Sequence, residues 1–219
     1  MRPARCSVLA SGATEVFVPR ALPLRLGPVL RFHGYRDLAG VPPEVVAVAQ
    51  DTLRIAETLV EPRLFWVLRR IEHVGGGTLT LADGPTFHAG GFDRHCAGAR
   101  HAACLVATAG RALDDRIAAL GDGADGMLEA VFLEAAGSVA VQETLKVFRV
   151  HLSARAAAEG FRLGPRLGPG YGDWPLTEQP DLFSVFDGSV PVRLTEACVM
   201  VPLKSISGLI PLFEATRQP

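Results

Sequence analysis

Arg166, Gly168, Gly170 and Tyr171 stand within six positions of one another, in the run RLGPGYGDWP. The arginine offers a charged fork that suits a carboxylate or a phosphate. The aromatic residue offers a stacking face and a hydroxyl. Glycine needs no Cβ clearance and Pro169 fixes its own φ, so the backbone between them can lie close to a bound molecule and present its N–H and C=O groups. Gly172, Asp173, Trp174 and Pro175 continue the turn, and a second segment, LTEACVMVP, brings Glu196 beside Thr195. This is binding chemistry. The run holds no pair of groups arranged as a nucleophile and its base, so no catalytic residue is expected in it.

Other chemistry-bearing residues fit ordinary structural parts. His95, Cys96, His101 and Cys104 lie within ten residues, but their spacing is not a zinc pattern and Cys104 opens an apolar run, so no metal site is expected. Asp114 and Asp115 are adjacent on a helical stretch and point apart, as on a solvated face. Gly75-Gly76-Gly77 is not followed by the Lys and Ser/Thr of a phosphate loop. Glu143, on a long helical stretch, is a further carboxylate within conceivable reach of a ligand's amino group.

The elements that must position the loop are legible upstream. Residues 42–62 read as a helix, with Pro43 in the first turn, Val46, Ala49, Leu53 and Ala56 on one stripe, and Pro62 as the stop. Residues 64–81 read as paired strands around the glycine turn. Residues 102–109 read as a buried strand and 112–120 as a short helix. Residues 92–99 begin another helix. Residues 126 to about 151 form the strongest helix, with Leu128, Phe132, Ala135 and Val139 on one face, close packing at Gly137 and Ser138, and 154–159 as its extension or a separate helix. Residues 7–19 read as one or two short strands, 22–35 as a loop punctuated by Pro23, Pro28 and Gly34, 122–126 as a Gly/Asp turn, and 182–186 as a short apolar segment. The expected architecture is α+β, a single compact domain over residues 1–219.

The chain has 219 residues, 48% hydrophobic and 21% charged, with 22 basic against 23 acidic side chains and a net charge of −1. That balance gives no basis for a nucleic-acid partner or an anionic membrane surface. Residues 1–20 lack a clean apolar stretch of the kind found in secretory signals, and no apolar run approaches the roughly 20 residues of a spanning helix. Cys6, Cys96, Cys104 and Cys198 are scattered and show no disulfide framework, so a reduced, cytoplasmic setting is the simplest expectation.

The loop and the segments C-terminal to it resemble the activation domain of cobalamin-dependent methionine synthase, in a free-standing form that binds S-adenosylmethionine. The family's R-x-x-x-G-Y motif is met by Arg166, Gly170 and Tyr171. Its later segments resemble Leu194-Thr195-Glu196-Ala197 with Met200 and Pro202, then Ser205-Ile206-Ser207-Gly208. Ala197 stands where the family usually has Ser, and Gly172-Asp173-Trp174 departs from the usual residues after the Tyr. Weaker similarity reaches back to about Arg31, through HGYRDLAGVPPEVVAVAQDTL, ACLVATAGRALDDRI and EAVFLEAAGSVAV.

The resemblance implies a twisted, mostly antiparallel sheet with flanking helices. It implies S-adenosylmethionine bound by Arg166, Gly168, Gly170, Tyr171 and Glu196, with Arg166 at the ligand carboxylate and the loop backbone near Tyr171 at the adenine. It further implies a reactivation subunit of a split methionine synthase that supports reductive methylation of cob(II)alamin to methylcobalamin. Cobalamin would then be carried by a partner subunit, because nothing here resembles a homocysteine-zinc domain, a folate barrel or a cobalamin-binding D-x-H-x-x-G segment. The resemblance also implies an external, flavodoxin-like electron donor. The alternatives are a module that senses S-adenosylmethionine or only docks a corrinoid protein, and a reactivator of another corrinoid-dependent methyltransferase.

Overall fold

The computed structural model describes residues 12–121 and 124–215. Cys6, the 7–11 part of the expected first strands, and positions 122–123 of the Gly/Asp turn lie outside them.

The centre is a sheet of three long strands: β2 (Arg63–Gly75), β5 (His101–Thr108) and β9 (Ser205–Glu214). Shorter strands extend it: β1 (Glu15–Phe17), β3 (Thr78–Leu81), β4 (Thr86–His88) and β6 (Phe161–Leu163). The order is β4-β3-β2-β5-β9-β6, with β1 alongside the start of β2, and every pairing is antiparallel. The β2–β3 hairpin turns on Gly76 and Gly77, both at positive φ (62° and 74°), the conformation a two-residue turn needs to match strand twist. A small separate hairpin pairs β7 (Arg193–Leu194) with β8 (Met200–Val201).

The apolar run of β5 reflects burial on both sheet faces. Ala103, Leu105 and Ala107 enter one core, while Ala102, Cys104 and Val106 enter the other. Each Leu or Val so buried stabilises the fold by about 1.5–3 kcal/mol. The first core lies under four helices: α1 (Leu26–Phe32), α2 (Pro43–Leu59), α4 (Ala112–Leu120) and α5 (Ala124–Ala158). The second lies under α3 (Gly91–His95), α6 (Gln179–Ser184) and the Trp174 segment. Among the described residues no helix is long and apolar enough to cross a membrane.

Three expectations are refined or settled. Residues 22–35 are not all loop, because Leu26–Phe32 is helical with Val29 and Leu30 buried. Pro28 falls in the first turn, where backbone N–H groups have no intrahelical acceptor to lose. Of the apolar segment at 182–186, residues 182–184 form the end of a short helix, α6. Helix α5 runs unbroken through 154–158 and ends before Gly160, at φ 82°. Its inward stripe starts at Phe132, and Leu128, one turn earlier, is 45% exposed. Gly137 does mark a close approach. A Cβ there would lie 2.7 Å from Cγ of Lys204 and 2.8 Å from a Leu113 methyl. The Lys204 side chain crosses this glycine to pair with Glu134.

Candidate functional site

After β6 the chain runs beside β9 and exchanges two backbone hydrogen bonds with it. Leu167 N donates to Leu209 O at 2.9 Å, and Leu209 N donates to Leu167 O at 2.8 Å. The contact is possible because Gly208 has no side chain; a Cβ would sit 2.1 Å from Leu167 O. Its φ of 155° also favours glycine. The base of the loop is therefore clamped to a central strand.

From that clamp Arg166 reaches back to the strand, and its Nη1 donates to Ser207 O at 2.7 Å. Gly168 leaves the passage open, since a Cβ would lie 2.6 Å from Nη1 and 2.7 Å from Ser207 O. The guanidinium carbon lies 5.0 Å from the centre of the Tyr171 ring, a cation–π arrangement. Burial pushes the Arg166 pKa below its ordinary value while Tyr171 acts the other way. An arginine remains charged under that influence. Nη1 is on Ser207 O and Tyr171 also engages the guanidinium, so an anion would meet the N–H groups that these two leave. The loop closes through Gly170, at φ 82°, whose N–H donates to Trp174 O at 2.8 Å.

Tyr171 is 61% exposed and forms a wall of three clefts. One, of about 440 Å³, has Arg94, His95, Arg166 and Asp173 on its sides. A second, of about 430 Å³, is lined by the loop backbone at positions 169–171 and by Gln179, Met200 and Ser207. A smaller one of about 270 Å³ is bounded by Phe32, Gln142 and Lys204. The structure thus brings Arg166, Gly168, Gly170 and Tyr171 together. Glu196 stands apart, exposed in the turn between β7 and β8, and lines none of these three clefts. Glu143 pairs with Lys146 on the surface of α5, also outside them.

Residues with no role assigned from sequence hold the site. Trp174 is 2% exposed, with its ring centre 5.1 Å from Phe87 and 5.0 Å from Phe92. Its Nε1 donates to Glu178 at 2.9 Å, and Glu178 also takes the backbone N–H of His88 and lies 2.7 Å from that histidine's Nδ1. Asp173 accepts from Gly91 N at 3.0 Å. These contacts fasten the far end of the loop to β4 and α3. Buried Gln179 donates to Cys198 O at 2.7 Å and accepts from the Ser207 hydroxyl at 3.0 Å, linking α6, β9 and the β7–β8 turn. The GDWP run itself signalled a structured turn. No local pattern signals Gln179, Arg94 or the cleft placement of His95.

The cysteines and histidines considered for metal part company. Cys96 and Cys104 lie in the second core, and burial pushes both thiols up to about 12. His101 packs edge-on against Phe161. Among the described residues no three His, Cys, Asp or Glu side chains converge as a metal site.

No sequence-family model matches the chain, and no curated protein does. Among solved structures it is similar to a crystal structure of the MetH reactivation domain bound to AdoHcy. That match has 16% sequence identity and a TM-score of 0.65, and it covers 94% of this chain and 80% of the other. Identity this low shows the fold alone: the chain has the α+β architecture of that domain, a mostly antiparallel sheet with flanking helices.

Proposed function

We propose that this chain is an S-adenosylmethionine-binding reactivation subunit of a split cobalamin-dependent methionine synthase. One observation carries the reading. Arg166, Gly168, Gly170 and Tyr171 form a single rigid loop, clamped to β9 at Gly208 and flanked by two clefts of about 440 and 430 Å³. Volumes of that size suit a ligand of nucleoside dimensions. The likeness to a domain whose crystal structure holds AdoHcy supports the same class of ligand.

The residues present fit S-adenosylmethionine. The free part of the Arg166 fork would take its carboxylate, and the Gly170–Tyr171 backbone with the Tyr171 ring would hold its adenine. Gly168 leaves the guanidinium the room to reach Ser207 O. Cobalamin on a partner would supply the nucleophilic metal and the chemistry of methyl transfer. The chain then needs no acid or base of its own; it binds, orients and excludes water. Glu196, exposed in the neighbouring turn, would meet the ligand or the partner from outside the clefts.

A second reading draws on the exposed apolar groups around the loop, Tyr171, Val199 and Leu203. In it the loop only docks a corrinoid protein. The two separate in a reactivation assay. A cobalamin-loaded partner, a reductant, S-adenosylmethionine and this chain are combined, and the visible spectrum is followed from cob(II)alamin to methylcobalamin. Conversion that requires this chain supports reactivation. Complex formation with no conversion would replace it with docking.

A further inference from the structure

We propose that the cleft between the start of β2, the start of α4 and the β7–β8 hairpin binds the phosphate group of a small soluble phosphate ester. This cleft, of about 210 Å³, lies apart from the Tyr171 loop and is lined by Arg63, Arg111 and Arg193 together with Glu61, Thr108 and Pro202. Folding draws three arginines, from three elements distant in sequence, around one small cavity. Gathering like charges is unfavourable unless something anionic offsets them.

The protein's own carboxylates offset them only in part. Arg63 reaches Glu61 at 3.8 Å through a single nitrogen, and Arg111 reaches Asp115 at 3.2 Å through Nε. Both pairs are exposed, a setting in which ion pairs are weak and exchange readily. The Arg193 guanidinium has no hydrogen-bond or ion-pair partner among the described residues. Asp114 and Asp115 already occupy the first turn of α4, so the attraction comes from the guanidinium groups and not from the helix end. Three arginines lining one cleft offer N–H donors that match the several oxygens of a phosphate, which takes such donors in pairs. The buried Thr108 hydroxyl accepts from Gly110 N at 3.2 Å and from the Ser205 hydroxyl at 3.0 Å and donates to Lys204 O at 3.5 Å, so the donors to a phosphate are the arginines. The volume admits a phosphate with a short ester substituent and is too small for a nucleoside-sized ligand.

The β7–β8 hairpin is a shared wall. Arg193, Val201 and Pro202 face this cleft, while Cys198, Val199 and Met200 line the one beside Tyr171. A phosphate held at Arg193 would steady that wall. The site itself does not depend on the S-adenosylmethionine reading, and its probe is inorganic phosphate alone.

The test is calorimetric titration of the chain with inorganic phosphate at low ionic strength, without S-adenosylmethionine. Saturable binding to one site is expected. Arg193→Ala should weaken it about tenfold or more, the scale of one charge-assisted contact, and Arg193→Lys, which keeps the charge but not the fork, by less. Arg149→Ala, on α5 and outside this cleft, should leave it unchanged. If Arg193→Ala does not fold, Arg63→Gln carries the same expectation from the opposite wall. Unsaturable uptake, or an equal loss in Arg149→Ala, would overturn the site. Cosedimentation with phosphatidate vesicles that free phosphate does not reverse would place the phosphate on a membrane and overturn the soluble ligand.

Discussion

The Arg166 guanidinium is held between the Ser207 carbonyl and the Tyr171 ring, so its position is set before any ligand arrives. Such a group gives an anion a preorganised contact. Arg166→Ala is expected to weaken S-adenosylmethionine binding by about 1.5–3 kcal/mol, the value of a charge-assisted hydrogen bond, and Arg166→Lys to recover only part of it. Isothermal calorimetry checks this, with circular dichroism to show that the fold persists. Gln179 gives a prediction about stability. Gln179→Leu would leave the Cys198 carbonyl and the Ser207 hydroxyl without their partner, a cost of about 1–3 kcal/mol readable as a shift of the urea midpoint. The two residues differ in how far sequence reveals them. Arg166, Gly170 and Tyr171 are close in the chain and share a motif. Gln179 is defined by partners 19 and 28 residues away, and only the fold brings them to it.

Among the elements, those built on local rules were legible. The Gly76–Gly77 hairpin follows from turn chemistry, α2 from its apolar stripe and Pro43, and β5 from its unbroken apolar run. Where tertiary contact decides, local reading falls short. Helix α1 tolerates Pro28 because of its position in the first turn. Leu128 keeps helical periodicity but lies before the buried stretch that begins at Phe132. The joint between the loop and β9 is of the second kind, since nothing in the 205–208 run announces a backbone 2.1 Å from an imagined Cβ. Gly208→Ala should push the loop off the strand and cost about 3 kcal/mol or more, through steric overlap and loss of the two Leu167–Leu209 hydrogen bonds. Hydrogen exchange should show faster exchange at the Leu167 and Leu209 amides with β2 unaffected. Protection equal to the parent at both amides would contradict the clamp.

For the molecule as a whole, stability should depend on two histidines. Burial lowers the pKa of His101, helped by Arg70 and opposed by Glu159 and Glu214; burial likewise lowers that of His151, helped by Arg155 and opposed by Glu15. A lowered folded-state pKa means that the unfolded chain binds more protons. The contribution of these groups is therefore present above their ordinary value of 6.5 and is lost as pH falls below it. Asp114 acts in the opposite sense: burial raises its pKa, so its contribution diminishes as pH rises from the acid range. Denaturant midpoints measured from about pH 7.5 down to about 5 should fall, with a shallower slope in His101→Gln. An unchanged slope would contradict the assignment to His101. At this scale sequence conveyed the fold class and not the strand order. The α+β alternation was visible, but no local pattern shows that the last strand inserts between β5 and β6 and so carries Ser207 and Gly208 under the loop.

The central claim is that the Arg166–Tyr171 loop binds S-adenosylmethionine, and calorimetric titration of the purified chain with that compound tests it most directly. The account predicts saturable one-site binding by the chain itself, because the loop is clamped and Arg166 is already in place. Absence of binding, both alone and with a cobalamin-loaded partner, would contradict the account and leave the loop as a docking surface.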